Sequence, residues 1–317
     1  MSILVTGSAG FIGYHTAKKL LDLNFEVIGV DNFNDYYDVS LKEARNSELE
    51  KYSNFKLYRG DLSDSDFCEK VFKENSFSKI CHLAAQAGVR YSLEKPKVYL
   101  KSNMDGFLNI LEAARRKNIK DIVYASSSSV YGNNEKTPFS VEDRVNRPIS
   151  LYASTKLANE LLAYNYHHLF AFNITGLRFF TVIGPYGRPD MALMKFSRAI
   201  LNDEEIKVYG QGKMRRDFTY IDDIVLGIIA ALDNLSGYNL YNLGNNKPVE
   251  LEYFISLIEK SFNRKAKKLY LDMQAGDVKE TYADIDRTKL DLNWKPLVKI
   301  EEAVESFATW YKDYYEI

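Results

Sequence analysis

The chain has 317 residues, of which 46% are apolar and 27% charged, with a formal net charge of −1. That length exceeds one average domain and that composition builds a substantial core; balanced charge without a long basic run argues against nucleic acid or an anionic membrane as partner. Two cysteines, Cys68 and Cys81, make neither a disulfide framework nor a metal quartet, and no apolar run approaches the roughly 20 residues of a membrane helix.

Residues 3–6 read as a short buried strand, which leaves no room for a signal peptide and predicts a cytoplasmic protein. The strand runs into Gly7-Ser8-Ala9-Gly10-Phe11-Ile12-Gly13, and a helical pattern follows over 14–23 with Ala17, Leu20 and Leu21 as its apolar positions. Strand, glycine turn and helix in this order are what a dinucleotide site requires. Glycines allow the tight turn and close backbone approach, and the helix N-terminus offers its N–H groups to a pyrophosphate. A second strand over 26–30 ends in Asp31. A carboxylate there accepts hydrogen bonds from ribose hydroxyls and repels a 2′-phosphate, which predicts NAD rather than NADP.

Strands and helices then alternate. Residues 55–59 form a third strand, followed by Gly60-Asp61-Leu62, where Asp61 can reach the adenine amino group. Residues 79–83 form a fourth, ending in Ala84-Ala85-Gln86, whose small residues let a cofactor lie against the backbone. A helix over 98–117, a strand over 121–126, a helix over 152–169 and a strand over 173–178 complete the pattern. It predicts an α/β fold, a Rossmann-type doubly wound parallel sheet with a smaller C-terminal substrate-binding lobe. The cofactor domain is expected over 1–180, with 218–243 returning to it, and the substrate lobe over 181–217 and 244–317.

Tyr152 and Lys156 stand four apart and share a helix face. An unperturbed tyrosine titrates near 10; an ammonium and a cationic nicotinamide beside it would have to supply roughly 4 kcal/mol to bring it near 7. The spacing recurs at Tyr14/Lys18, Tyr52/Lys56, Tyr91/Lys95 and Tyr209/Lys213, so context and not spacing selects Tyr152. Part of that context is Ser126-Ser127-Ser128-Ser129 at the end of the fifth strand, the edge that faces a ligand crevice. A hydroxyl there relays a proton between Tyr152 and a substrate, unless the run is an ordinary polar loop. With Tyr152 and Lys156 it completes an apparatus for oxidising a secondary alcohol, which argues against a non-catalytic NAD sensor. His82 reads as a core histidine.

These residues together resemble an extended short-chain dehydrogenase/reductase of the nucleotide-sugar epimerase and dehydratase group, over nearly the full chain. The matching segments are Thr6 to Gly13, Gly60-Asp61-Leu62, His82 to Ala85, Ser126 to Ser128, Tyr152-x-x-x-Lys156, Leu177 to Phe180, Arg216 to Asp223 and Gly276-Asp277. The resemblance implies Ser127, Tyr152 and Lys156 as catalytic residues, Arg216 on the substrate diphosphate and Asp277 on the uridine ribose. It extends the cofactor wall to Asn32, Leu62, Leu83, Asn103 and Phe179, and the substrate wall to Met191. Within the group the chain is most similar to the UDP-glucuronate 4-epimerases, through Asn34 to Asp38, Ala85 to Ser92, Phe180 to Ala192 and Met273 to Val278. Thr181 and Gln274 stand where neutral-sugar epimerases usually carry asparagine and arginine, and Ser129 where decarboxylases typically carry glutamate. Ile183, Tyr186 and Ala275 depart from the common pattern in ways that conserve packing.

A glucuronate oxidised at C4 is a β-keto acid that loses carbon dioxide once its carboxylate aligns with the ketone, so an epimerase must hold that carboxylate elsewhere. Thr181, a serine among Ser127, Ser128 and Ser129, and Arg188 are the candidates, a guanidinium being a fork that fits a carboxylate. Arg188 is alternatively a solvated loop arginine or a subunit contact, and Arg90 carries the same ambiguity. The expectation is NAD-dependent 4-epimerisation of a UDP-sugar acid, with a neutral-sugar epimerase or a UDP-glucuronate decarboxylase as the alternatives. The resemblance also implies a homodimer built through helices 105–117 and 152–169.

Overall fold

A computed structural model describes residues 1–273 and 279–317. Its first part alternates β1 (Ser2–Thr6), α1 (Phe11–Asp22), β2 (Glu26–Asp31), α2 (Ser40–Leu49), β3 (Phe55–Arg59), α3 (Ser65–Glu74) and β4 (Lys79–His82). Two single-turn helices, α4 (Tyr91–Glu94) and α5 (Pro96–Tyr99), lead through a wide π turn at Leu100–Asp105 into α6 (Gly106–Arg116), β5 (Asp121–Ser127), α7 (Leu151–Phe170) and β6 (Asn173–Phe179). Then come β7 (Thr181–Ile183), α8 (Ala192–Leu201), β8 (Glu205–Tyr209), β9 (Arg215–Tyr220), α9 (Ile221–Asp233) and β10 (Tyr238–Leu243). The last elements are β11 (Pro248–Glu250), α10 (Leu251–Phe262), β12 (Lys267–Leu271), β13 (Glu280–Thr281), α11 (Asp286–Leu292) and α12 (Ile300–Tyr315).

The main sheet runs β10-β6-β5-β4-β1-β2-β3, parallel throughout. Its strands are apolar on both faces because helices cover both. Val5, Val123 and Leu177 pack on one side with Leu20, Ile224 and Ile228, while Leu4, Ile80 and Ile122 pack on the other with Val71, Phe107 and Ile110. Each such side chain contributes about 1.5–3 kcal/mol when fully buried. Chain direction across the sheet reverses between β1 and β4, so a crevice opens at their C-terminal ends. Glycine turn, serine run and the start of α7 all arrive there.

The smaller lobe is built on β9, flanked by β11, β13 and β7, with β8 and β12 pairing separately. Its core gathers Phe218 and Phe254, stacked at 4.2 Å, with Ile258, Val304 and Phe307. Residues 218–220, expected to return to the main sheet, belong to β9 in this lobe; the return is made by α9, which packs on α1, and by β10, which pairs with β6. α1 begins at Phe11 and not at residue 14, because Gly13 packs inside its first turn. The helix read over 98–117 is interrupted by the wide turn at Leu100–Asp105, which aims Asn103 inward.

Candidate active site

Two glycines shape the cofactor end. Gly7 has φ +71, and a Cβ on it would lie 2.8 Å from the Ala84 backbone nitrogen; a Cβ on Gly13 would stand 2.0 Å from the Gly7 carbonyl oxygen. Only glycine lets α1 start this close to β1 and β4. Gly10 caps α1 without a side-chain hydrogen bond, and no acid occupies the first turn. The first helical N–H groups lack intrahelical partners, and Gly10, Phe11, Ile12 and Gly13 line a cavity of about 530 Å³. Asp31, buried at the tip of β2, also lines it, its oxygens accepting the Ala9 N–H (3.1 Å) and the Phe33 N–H (2.8 Å). Turn, helix end and carboxylate therefore fit a dinucleotide.

Asn32, Asp61 and Leu62 form one wall of the same cavity, and Leu83, Ala84, Ala85, Gln86 and Phe179 another. Asn103, expected on the cofactor, is not among the lining residues. Its amide is closed onto the Gln86 backbone (2.8 and 3.0 Å) and the Thr155 hydroxyl (3.0 Å), so it braces the wall from behind.

The chemical end is assembled from β5 and α7. Ser150 starts α7 by accepting the Ala153 N–H at 3.1 Å, which places Tyr152 in the first turn. Thr155 donates to the Tyr152 carbonyl at 2.8 Å and fixes that turn. Ser127 ends β5, accepting the Ser129 N–H at 3.2 Å and donating to the Ser129 hydroxyl at 3.1 Å. Burial pushes the Tyr152 phenol upward in pKa, while the Ser127 hydroxyl and the Arg188 guanidinium pull it back.

Lys156 lines the same cavity as Tyr152. Its ammonium donates to the Ala125 carbonyl at 2.8 Å, and burial lowers its pKa to about 8. The net direction at Tyr152 is upward, and Arg188 is one cation that favours its phenolate in this geometry. His82 is buried, bonded through Nδ1 to Thr6 (2.9 Å) and stacked on Phe107; burial and then Lys156 lower its pKa to about 3, so it stays neutral.

Arg188 is partly buried and is not alone. Its Nε and Nη2 grip the two oxygens of Asp190, the former at 3.0 Å, and the Tyr36 hydroxyl donates to the same carboxylate at 3.0 Å. Against the burial that would raise it, these partners hold the Asp190 carboxyl below its ordinary range. Thr181, Ser128, Ser129 and Met191 line the cavity beside this group. Arg90 lies at its exposed rim, 5.9 Å from the Tyr209 ring. Arg216 is not a lining residue: β9 carries it into the small sheet, where it donates to the Arg215 (2.9 Å) and Lys279 (3.4 Å) carbonyls. Asp277 and Gln274 lie outside the described residues. The sequence reading missed Tyr36, Lys42 and Asp190, which also line the cavity.

The sequence matches the NAD dependent epimerase/dehydratase family over residues 3–244. It is 56% identical over 313 residues to an uncharacterized protein of Methanocaldococcus jannaschii, covering 98% of this chain and 96% of that one. It is 46% identical over 315 residues to a UDP-glucuronate 4-epimerase of Thermodesulfobacterium geofontis, covering 99% and 97%. The fold superposes with a TM-score of 0.92 on the crystal structure of the UDP-glucuronic acid 4-epimerase from Bacillus cereus in complex with UDP-glucuronic acid and NAD; the two are 36% identical, with 99% and 100% of the chains covered. The chain belongs to the NAD dependent epimerase/dehydratase family.

Proposed function

We propose that the protein is a UDP-glucuronate 4-epimerase that interconverts UDP-glucuronate and UDP-galacturonate through a transient 4-keto sugar. The observation that carries this reading is the meeting of Tyr152, Lys156, Ser127 and Arg188 in the lining of one cavity whose other end is a dinucleotide turn. A base for a secondary alcohol beside a carboxylate-binding cation matches a sugar acid oxidised at C4. Relatives named for this activity support it.

Gly7 and the turn from Gly10 to Gly13 would hold the cofactor diphosphate, Asp31 and Asn32 its adenosine ribose, and Asp61 and Leu62 its adenine. When bound, NAD supplies a two-electron acceptor and donor at the sugar's C4. Tyr152 takes the 4-hydroxyl proton, with Ser127 bridging, and gives it back after the keto sugar has turned its other face. Lys156, one helical turn beyond Tyr152, favours the phenolate meanwhile, with Arg188 as a second cation in the cavity. Arg188, Thr181 and one serine hydroxyl of the 127–129 run hold the sugar carboxylate out of alignment with the C4 ketone. Arg90 and Met191 close the sugar pocket, and Arg216 and Asp277 retain the nucleotide during the turn.

Homodimerisation belongs to the same reading: Leu108 on α6 and Leu161, Tyr164 and Leu169 on α7 are exposed apolar side chains that a partner helix pair would cover. So do a cytoplasmic location and a role supplying sugar acids for polysaccharide synthesis; among the described residues no helix is long and apolar enough to cross a membrane. The test is to incubate the pure protein with UDP-glucuronate and no added cofactor. UDP-galacturonate without NADH accumulation is the expected result. A UDP-pentose with carbon dioxide, or turnover of UDP-glucose alone, would replace this reading with a decarboxylase or a neutral-sugar epimerase.

A further inference from the structure

We infer that Arg45 is a positioning residue that couples the cofactor turn to the loop carrying Arg188. The inference rests on the NAD-binding part of the proposed function and not on the identity of the sugar. Arg45 projects from α2 and is fully buried. Its Nη1 donates to the Ala9 carbonyl (2.9 Å), inside the glycine turn, and to the Tyr37 hydroxyl (2.8 Å). Its Nη2 donates to the Tyr186 carbonyl at 2.6 Å and more distantly to that of Gly187. One guanidinium thus ties two backbone segments more than a hundred residues apart in sequence, one at each ligand.

Packing alone does not account for the residue. A buried charge is costly unless paired, yet the ion pairs among the described residues do not include Arg45, and its Nε is buried with no hydrogen-bond partner. An apolar side chain would fill the space at lower cost but leave both carbonyls unheld. The loop it holds needs holding: Tyr186 sits at φ +56, a left-handed conformation uncommon for such a side chain. The His15 ring bonds the Pro185 carbonyl at 2.9 Å, and the Tyr186 ring packs on Trp310 at 4.9 Å.

The connection also closes on itself. Ala9 is held at its N–H by Asp31 and at its carbonyl by Arg45. Asp31 orders the start of the 32–38 loop through Phe33, that loop sends Tyr36 to Asp190, and Asp190 grips Arg188 two residues beyond Tyr186. A displacement of the substrate loop is therefore transmitted to the turn that holds the cofactor, and the reverse holds by linkage.

The test is a double-mutant cycle read on NAD affinity, by titrating NAD into the full chain after cofactor removal, with no sugar substrate present. Arg45→Met should weaken NAD about tenfold or more, the scale of a lost hydrogen bond to a charged group. Trp310→Ala, which loosens the loop without touching the cavity, should weaken NAD at least about threefold in the parent and no further in the Arg45→Met background. Additive effects, or parent-like NAD affinity in Arg45→Met, overturn the inference. Should Arg45→Met not fold, Arg45→Lys keeps the charge and loses the fork; it should show an intermediate loss, and parent-like affinity in it is equally decisive against coupling. Because no sugar enters the titration, the outcome is separate from whether UDP-glucuronate is the substrate.

Discussion

Glu160 grips Arg178 through two hydrogen bonds of 2.8 Å, Nε to Oε1 and Nη2 to Oε2, and neither side chain is more than 4% exposed. Glu160 lies one helical turn beyond Lys156 and also accepts the Ser126 hydroxyl at 2.6 Å. The pair therefore joins α7, β5 and β6 directly behind Ser127 and Tyr152. Removing one partner leaves the other buried and uncompensated, at about 3–5 kcal/mol. Glu160→Ala should lose that much unfolding free energy in urea, and the double variant Glu160→Leu/Arg178→Met should regain much of it. A loss below 1 kcal/mol would show that the pair is not holding these elements together.

Tyr152→Phe should fold, retain NAD and lose turnover, since general-base work contributes about 10²–10⁴-fold. Single-turnover rates measured beside the bound-NAD absorbance check both halves. Near-parent turnover would assign the base to another residue.

Arg188→Ala removes a charged donor worth about 1.5–3 kcal/mol, so kcat/KM on UDP-glucuronate should fall roughly 10–150-fold. Binding of UDP, which lacks the carboxylate, should change little. Without the guanidinium the sugar carboxylate loosens and can align with the C4 ketone, so traces of a UDP-4-keto-pentose should appear with carbon dioxide and an equal amount of NADH. Equal losses on UDP-glucose and UDP-glucuronate would take carboxylate recognition away from Arg188.

Two histidines make stability depend on pH. Burial holds His15 near 4, and burial with Lys156 holds His82 near 3, below the unfolded value of about 6.5. Both folded values are depressed, so the unfolded chain binds more protons as pH falls below about 6.5. The stabilisation is complete above that pH and is lost progressively on the way to the folded values. At pH 5 each histidine should account for a loss of about 2 kcal/mol relative to neutral pH. Burial also pushes the Asp217 carboxyl up to about 6, which offsets part of that loss, so the histidine share is read by difference: His15→Gln should shrink the change in unfolding free energy between pH 7 and pH 5 by about 2 kcal/mol in urea titrations.

The strands of the main sheet are legible because burial on both faces makes them short continuous apolar runs, and the glycine turn is legible because no other residue tolerates its geometry. α2 is not, since its inward face places Lys42, Arg45 and Asn46 between Leu41 and Leu49 and so interrupts the apolar period. Helical spacing places Lys156 on the face of Tyr152 but does not say where a long side chain ends; the Ala125 carbonyl, 31 residues away, takes its ammonium. The contact between Tyr36 and Asp190 spans 154 residues, so no local pattern announces it.

The excursion of the chain into the smaller lobe between β6 and β10 sets a timetable for biosynthesis. When residue 179 leaves the ribosome, β6 is an open edge and the α1 side of the sheet still lacks α9. Both are covered only once residue 243 has emerged, roughly 3–13 s later at about 5–20 residues per second. For that interval the nascent chain presents an unpaired parallel edge beside uncovered apolar side chains, the state most open to pairing with a neighbouring chain. The cofactor half of this protein is first in sequence and among the last parts to be finished.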